Sequence, residues 1–219
     1  MTSGFDKLAR PYRWMEYLSF GRALERCRVH FLPQLHDRHK ALLLGDGDGR
    51  FTAALLQSAP GVKAVAADGS AAMLQALCSR CASDRVTTVC ADLRQGLPES
   101  AKTHVDLVAT HFFLDCLTDA EVCRVADDVT ACAEAGALWV VSEFHVPQRG
   151  AMRWPSWLVV RALYVSFRAL TGLRVMRLPE YRAALQARGW RLLHAREHVG
   201  GLLVSELWQR DPAYVRGIE

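Results

Sequence analysis

The feature that most constrains this chain is a short apolar segment that ends in three alternating glycines. Residues 41–44 read Ala-Leu-Leu-Leu, Gly45, Gly47 and Gly49 follow, and a segment of helical character begins at Arg50. Glycine is needed where the backbone must turn sharply and approach a ligand closely, because a Cβ atom would collide there. The pattern therefore predicts a strand, a tight ligand-binding turn and a helix N-terminus.

A second apolar run supports a nucleoside ligand. Residues 62–67 are followed by Asp68, which lies 19 residues after Gly49. An acid at the tip of the next strand is placed to hold the two hydroxyls of a ribose. The two segments together predict that the chain binds a nucleoside-containing cofactor.

The glycine spacing narrows the choice of cofactor. Dinucleotide-binding turns use G-x-G-x-x-G, which would put the third glycine at position 50, where this chain has Arg50. Asp46 and Asp48 also lie between the glycines, and they would repel a pyrophosphate. A cationic or zwitterionic ligand fits this turn better.

The G-x-G-x-G turn resembles motif I of the class I S-adenosylmethionine-dependent methyltransferases. Four further segments, residues 68–74, 90–93, 105–111 and 135–143, are similar to that superfamily in order and spacing. The resemblance implies S-adenosyl-L-methionine as the cofactor. It also implies that the cofactor is contacted by residues of the strand tips: Gly45, Asp46, Gly47, Gly49, Asp68, Gly69, Met73, Asp92, Leu93, Thr110 and His111.

One position departs from the superfamily, which usually has an acid two residues before the first motif glycine. This chain has Leu43 there. Asp46 either takes over hydrogen bonding to the amino end of the cofactor or only caps the following helix. Both alternatives stay open from the sequence.

The N-terminal segment is similar to one found in methyltransferases that modify quinones and small molecules. It begins at Phe5 and runs through Tyr12. The resemblance implies that this segment folds over the cofactor and that Tyr12 closes the site. Arg26 either pairs with the cofactor carboxylate or is a surface arginine.

Alternating apolar segments predict an α/β fold. We expect a Rossmann-like, doubly wound, seven-stranded and mostly parallel sheet with an antiparallel C-terminal strand. A single domain over 1–219 is predicted, divided into a helical N-terminal cap (1–39), a cofactor-binding core (40–145), an apolar and arginine-rich helical insert (146–178) and a C-terminal helix and hairpin (179–210).

The same periodicity predicts the individual elements. Two or three helices are expected within residues 5–38. Strands are expected at 40–44, 62–67, 86–90, 104–110 and 136–143, and helices at 50–58, 70–80, 118–133, 156–170 and 179–188. A hairpin of residues 190–198 and 202–209, joined through Gly200 and Gly201, ends the fold.

The insert has an unusual charge pattern. Between Arg149 and Arg191 the sequence holds nine arginines and a single acid. Its aromatic residues include Trp154, Trp157 and Tyr164, which we interpret as contacts to the methyl acceptor. The alternatives are an ordinary packed helix with solvent-reaching arginines, an interfacial contact or a dimer surface.

Methyl transfer from a sulfonium mainly requires alignment of the nucleophile, although a base helps when the acceptor is a phenol or a protonated amine. His111, just past the fourth strand, is the first candidate base. Asp115 would orient it if the intervening segment is helical. His145, after the fifth strand, is the second candidate and a possible contact to the acceptor.

Composition favours an ordinary soluble enzyme in the cytoplasm, and the resemblance implies a small-molecule acceptor. The N-terminus has no apolar signal core, and no apolar run approaches the roughly 20 residues of a membrane span. The seven cysteines predict free thiols and no metal site. We expect a monomer or homodimer that does not bind nucleic acid. The alternatives are methylation of a lipid-like quinone through peripheral membrane contact, and a non-catalytic cofactor-binding module.

Overall fold

The computed structural model describes residues 22–147, 152–171 and 177–212. These residues form a sheet with helices on both faces. The strands are β1 (Lys40–Leu44), β2 (Lys63–Asp68), β3 (Val86–Cys90), β4 (Val105–His111), β5 (Ala133–Phe144), β6 (Trp190–His198) and β7 (Leu203–Arg210). The helices are α1 (Ala23–Val29), α2 (Arg50–Ser58), α3 (Ala71–Cys81), α4 (Asp119–Cys132), α5 (Arg153–Thr171) and α6 (Tyr181–Gln186).

The seven strands lie in the order β3-β2-β1-β4-β5-β7-β6. Strands β1 to β5 pair in parallel, whereas β7 is antiparallel to both of its neighbours, β5 and β6. The chain order reverses between β1 and β4, which makes the carboxyl ends of these strands the usual position of a ligand crevice. The predicted doubly wound sheet with one antiparallel C-terminal strand is confirmed.

The apolar run of β1 is explained by burial on both of its faces. Leu42 and Leu44 pack in a hydrophobic cluster with α4 and α6, whereas Ala41 and Leu43 pack in a second cluster with α2 and α3. Alternate side chains of a strand point to opposite faces, so a strand covered by helices on both sides is apolar throughout. This burial agrees with the interior position of β1, between β2 and β4.

A third, smaller cluster joins α1 and α5 to the sheet. Leu24 and Cys27 of α1 pack with Phe112, which follows β4, and with Val160 of α5. The start of β7 contributes Leu203 to the same cluster. Helix α5 is thereby held near the carboxyl ends of β4 and β5.

Several boundaries differ from the expected ones. Helix α4 ends at Cys132 and β5 begins at Ala133, three residues before the predicted start. The pairing of β4 with β5 shifts register after Val105, and Gly136 has a φ of +78°, so an irregular strand start accounts for the difference. Helix α6 ends at Gln186, short of the predicted 188, and α5 is longer than predicted. The helices expected before residue 22 lie outside the described residues.

Across the described ranges, none of the helices is both long enough and apolar enough to cross a membrane.

Candidate functional site

The three motif glycines form the turn after β1, and all three adopt left-handed backbone conformations. Gly45, Gly47 and Gly49 have φ values of +68°, +58° and +77°. A Cβ atom on Gly45 would lie 2.5 Å from the ring of Phe113, and one on Gly49 would lie 2.6 Å from Leu77. These two glycines are therefore required for packing as well as for backbone conformation.

Gly47 differs from the other two glycines because its Cβ position is open. The nearest heavy atom would be the sulfur of Met73, at 3.9 Å. Met73 is in the first turn of α3. Ser70 caps that helix, because its hydroxyl accepts a hydrogen bond from the backbone N–H of Met73 at 3.3 Å. The space beside Gly47 and Met73 is therefore where a ligand can approach the turn.

Asp46 caps α2. Its Oδ2 atom accepts hydrogen bonds from the backbone N–H of Thr52 at 2.9 Å and from the Thr52 hydroxyl at 2.5 Å. Desolvation of the carboxyl group raises the pKa of Asp46 to about 6, although the Thr52 hydrogen bonds oppose the shift. Asp46 therefore supports the first turn of α2, and its contact with the cofactor stays a prediction.

Asp48, the other acid in the turn, is paired with arginines. Arg80 of α3 forms an ion pair with it at 2.8 Å, and Arg50 approaches it at 3.3 Å. The charge of Asp48 is therefore compensated locally, which leaves Asp46 as the acid of the turn that has no arginine among its hydrogen-bond donors.

The second strand tip carries the predicted ribose-binding acid. Asp68 is the last residue of β2, and its Oδ1 atom accepts the backbone N–H of Ser70 at 2.8 Å. Gly69 follows, and a Cβ atom there would meet the carbonyl oxygen of Ala91 at 3.6 Å. Asp68 thus lies at the carboxyl end of the sheet, one strand from the glycine turn.

At the third strand tip, Asp92 and Leu93 are the residues predicted to contact the cofactor. Both oxygens of Asp92 accept hydrogen bonds from Arg94, each at 2.8 Å, and this lowers the pKa of Asp92. Leu93 is buried in the hydrophobic cluster on the α4 side. Contact of either residue with a cofactor stays a prediction.

The last two side chains of β4 point to opposite faces of the sheet. Thr110 is buried, and its hydroxyl accepts a hydrogen bond from the Trp139 indole at 3.0 Å. His111 lies on the other face, where its ring packs against Phe51 with centroids 4.2 Å apart. Its Nδ1 atom is 2.9 Å from the Ser142 hydroxyl.

His111 is buried, and desolvation lowers its pKa well below 6.5, with a further lowering from the charge of Arg28. Its partner was expected to be Asp115, on the condition that residues 111–115 are helical. That expectation is wrong, because His111 ends a strand and the next residue, Phe112, has a φ of +54°. Ser142 takes the orienting position instead.

A turn follows β4, and it is held by a buried acid that the sequence did not single out. Glu143 of β5 accepts hydrogen bonds through Oε1 from the backbone N–H groups of Phe113 and Leu114, at 3.2 and 2.8 Å. Burial, and then the charge of Asp115, raises the pKa of Glu143 well above 4.5. Burial also raises the pKa of Asp115 to about 6.

Arg28 is the second functional candidate that sequence reasoning missed. Its guanidinium carbon lies 5.3 Å from the ring centroid of Phe112. Its charge adds to the desolvation that lowers the pKa of His111 and opposes the desolvation that raises the pKa of Asp46. Arg26, for which the sequence left open a pairing with the cofactor carboxylate or a surface position, is exposed. Helical geometry separates these two arginines by about 200° around α1, so only one can face the glycine turn.

The residues predicted to contact the acceptor lie on two parts of the fold, the segment after β5 and helix α5. His145 lies after β5, and its Nδ1 atom is 3.0 Å from the carbonyl oxygen of Gly201. On α5, Trp154 is 69% exposed and Trp157 is 42% exposed, whereas Ser156 and Val160 are buried. The two tryptophans therefore lie on the solvent side of this helix, and their contact with an acceptor stays a prediction.

Two predicted contacts cannot be placed. Tyr12 lies outside the described residues, and Tyr164 belongs to α5 but its side chain is outside the described part. Among the described side chains, no group of three or more His, Cys, Asp or Glu residues could hold a metal ion.

Residues 41–136 match a family described as a methyltransferase domain. No curated protein sequence matches the chain significantly.

Solved structures extend the similarity across the whole sheet. The mitomycin 7-O-methyltransferase MmcR is 18% identical, with a TM-score of 0.69 over 95% of this chain and 61% of its own length. The N-methyltransferase NodS from Bradyrhizobium japonicum WM9, in complex with S-adenosyl-L-homocysteine, is 14% identical, with a TM-score of 0.62 over 85% of this chain and 87% of its own.

An O-methyltransferase family protein from Burkholderia thailandensis is 14% identical, with a TM-score of 0.68 over 95% of this chain and 63% of its own length. The chain thus spans less than two thirds of two of these three proteins, MmcR and the Burkholderia protein. Residues 41–136 thus match a methyltransferase domain, and the chain has the fold of the class I S-adenosylmethionine-dependent methyltransferases.

Proposed function

We propose that this protein transfers a methyl group from S-adenosyl-L-methionine to an oxygen, nitrogen, sulfur or carbon nucleophile of a small molecule. The observation that carries the proposal is the open position at Gly47, in a turn of three left-handed glycines beside Met73. The structural relatives include O- and N-methyltransferases, one of them with the demethylated cofactor bound. The name of MmcR gives mitomycin as its substrate, which supports a small-molecule acceptor.

The residues of the glycine turn fit this cofactor. A side chain at Gly47 would fill the approach to the turn, and Asp68 at the next strand tip is suited to the ribose hydroxyls. Asp46 and Arg28 supply one negative and one positive group for a zwitterionic amino-acid end. The bound cofactor would supply an activated methyl group, so the chain has mainly to align the acceptor with it.

Proton removal from the acceptor is proposed for a histidine. His111 and His145 are the candidates, and each has its Nδ1 atom within hydrogen-bond distance of an oxygen of this chain. His145 faces a carbonyl oxygen, which can only accept, so its Nδ1 carries the hydrogen and its Nε2 holds a lone pair when the ring is neutral. His145 is only half-buried, and that lone pair is the better placed to meet an entering acceptor.

The cofactor is tested with Asp68→Ala. Losing hydrogen bonds to a charged acceptor costs about 1.5–3 kcal/mol, so S-adenosylmethionine binding measured by calorimetry should weaken more than tenfold. Asp84→Ala is the control, because Asp84 is an exposed acid before β3, at the opposite end of the sheet. Unchanged affinity in Asp68→Ala, or binding of NAD by the wild type, contradicts the proposal.

The glycine turn is tested with Gly47→Val. The added side chain should abolish cofactor binding while the fold remains largely intact. Gly136→Val is a matched control because Gly136 also has a positive φ, +78°, and nothing lies within 4 Å of its Cβ position. If both variants lose stability equally and both bind the cofactor, the turn is only structural.

A second candidate is methylation of a lipid-like quinone at a membrane surface. It is favoured by the exposed face of α5, where Trp154, Trp157 and Leu158 lie near Arg161, whose guanidinium carbon is 5.4 Å from the Trp157 ring centroid. Tryptophan and arginine on one helix face suit a membrane interface. Sedimentation with anionic vesicles tests it: Trp157→Ala should lose vesicle binding under this candidate, and should lose only transfer efficiency if the tryptophan contacts a soluble acceptor.

A non-catalytic cofactor-binding module is the remaining alternative, and it predicts cofactor binding without turnover for every acceptor screened.

We further propose one methyltransferase domain with the cap, core, insert and C-terminal boundaries expected from the sequence. A monomer or homodimer and a cytoplasmic location, without nucleic acid, complete the proposal. The cytoplasmic location is supported by the seven cysteines, all of which are free thiols.

A further inference from the structure

Two serines on neighbouring strands converge on one carbonyl group of α1. Ser142 of β5 and Ser205 of β7 are direct partners across the antiparallel pair. The Ser142 hydroxyl lies 3.2 Å from the carbonyl oxygen of Cys27, and the Ser205 hydroxyl lies 2.7 Å from the same oxygen. Each serine also contacts a histidine, so the arrangement is repeated on the two strands.

The two histidines differ in position. Ser142 contacts the Nδ1 atom of His111 at 2.9 Å, and Ser205 contacts the Nε2 atom of His198 at 2.9 Å. His111 is buried at the tip of β4, whereas His198 is half-buried at the end of β6. Only His111 lies near the glycine turn, through its packing against Phe51 in the first turn of α2.

The number of hydrogens decides the direction of the bonds at Ser142. A hydroxyl has one hydrogen, and the carbonyl of Cys27 can only accept. If Ser142 donates to Cys27, its oxygen accepts from an Nδ1–H group of His111, and both contacts are hydrogen bonds. If it donates to His111 instead, the contact with Cys27 is lost and a buried Nε2–H group is left without an acceptor.

The first arrangement has one more hydrogen bond and avoids an orphaned donor, which is the rarer defect in protein interiors. Among the described residues, the Nε2 atom of His111 is buried without a hydrogen-bond partner. The positive charge of Arg28, which acts on the His111 ring, also favours a lone pair over an N–H group at this atom. Neutral His111 therefore carries its hydrogen on Nδ1.

We propose that Ser142 is a positioning residue that holds His111 in the Nδ1–H tautomer, so that its Nε2 lone pair accepts a hydrogen bond from the ammonium group of the bound cofactor. The cofactor half of this inference rests on the proposed function. Asp46 accepts a hydrogen bond from Thr52, His111 packs against the adjacent Phe51, and Arg28 lies over the ring of Phe112, the residue after His111, so these three groups lie beside the start of α2 and the glycine turn. A zwitterionic amino-acid end fits there, with its carboxylate toward Arg28.

This assignment separates the two candidate histidines. A ring kept neutral by burial is a poor proton acceptor but a good hydrogen-bond acceptor. His111 therefore serves cofactor binding, and removal of the acceptor proton is left to His145.

The experiment compares Ser142→Ala, Ser142→Thr and Ser205→Ala. Nitrogen NMR of the ligand-free protein reports which ring nitrogen of each histidine carries the hydrogen. We expect Ser142→Ala to shift His111 away from the pure Nδ1–H form, Ser142→Thr to restore it, and Ser205→Ala to change His198 alone. An unchanged His111 signal in folded Ser142→Ala overturns the positioning role.

The second measurement is cofactor affinity by calorimetry, with turnover measured alongside. Ser142→Ala should weaken S-adenosylmethionine binding about fivefold or more, with kcat nearly unchanged, and Ser205→Ala should bind normally. A fall in kcat without a loss of affinity overturns the ammonium contact and returns His111 to the role of base. Failure of the wild type to bind S-adenosylmethionine contradicts the proposed function instead, and the NMR result still decides the tautomer.

Discussion

Two buried polar groups lie on opposite faces of the sheet at its carboxyl end, and burial acts on them in opposite directions. His111 lies on the face of Ser142, and its pKa is lowered well below 6.5. Glu143 follows Ser142 in β5 and points to the other face, where its pKa is raised well above 4.5. Desolvation is the first cause in both cases because it disfavours whichever form carries a charge. Burial therefore favours the neutral form of the polar group on each face.

Because burial shifts the pKa values on the two faces in opposite directions, each face makes the free energy of unfolding depend on pH in its own way. Below pH 6.5 the unfolded chain binds a proton at His111 more readily than the folded chain does, so the free energy of unfolding falls as the pH drops through this range. Glu143 and Asp115 behave in the opposite way, because the folded chain holds their protons more tightly. On their account the free energy of unfolding falls as the pH rises above the unfolded values.

The largest effect is expected from truncating the acid that holds the turn after β4. Glu143→Ala leaves the N–H groups of Phe113 and Leu114 without their acceptor, which should lower the free energy of unfolding by about 3 kcal/mol or more at pH 7. Glu143→Gln resembles the protonated acid and should stay within about 1 kcal/mol of the wild type. Urea denaturation compares them, and an equally large loss in Glu143→Gln would show that the native group is charged.

A smaller, pH-dependent effect is expected at Asp115, whose pKa is raised to about 6 from 3.8. Asp115→Asn removes the charge that the folded state disfavours. The wild type loses stability as the pH rises from 4.5 to 7.5, whereas Asp115→Asn does not lose this contribution. The free energy of unfolding of the variant minus that of the wild type should therefore grow by about 1–3 kcal/mol over this range. The exposed Asp84→Asn is the control. A stability difference between Asp115→Asn and the wild type that does not change with pH would contradict the raised pKa of Asp115.

The smallest effect is expected on the histidine face. His111→Asn keeps an N–H donor near Ser142 but cannot gain a proton, so it should lose the acid-side decrease in stability that the wild type has below pH 6.5. Thermal unfolding at pH 5.5 and 7.5 should differ less in this variant than in the wild type, by about 0.5–1 kcal/mol. His104→Asn, at an exposed position, serves as the control. An identical pH profile in His111→Asn and the wild type would contradict a buried neutral ring.

The fold was predictable because its signals are local. Burial on both faces makes β1 apolar along its whole length, and the glycines and Asp68 mark strand ends within a few residues of the strands themselves. The irregular start of β5 was missed because Gly136 interrupts an otherwise continuous strand, and a glycine there reads as the end of a turn.

The partners within the site were less predictable because they are distant in sequence. His111 was identified from its position after β4, but its contact with Ser142 joins residues 31 positions apart, and that of Ser142 with Cys27 joins residues 115 apart. Arg28 and Arg26 carry the same charge on the same helix, and only the packing of α1 against Phe112 decides which of them faces the glycine turn. Periodicity does not encode such choices.

The contact between Gly45 and Phe113 has a consequence for protein engineering. The ring of Phe113 occupies the volume that a side chain at position 45 would need, so the cofactor turn and the turn after β4 form one packing unit. Libraries that randomise residues 112–116 to change acceptor preference would also perturb the glycine turn whenever position 113 changes. Keeping Phe113 constant, or varying it only together with position 45, should yield more folded variants than randomising the turn after β4 alone.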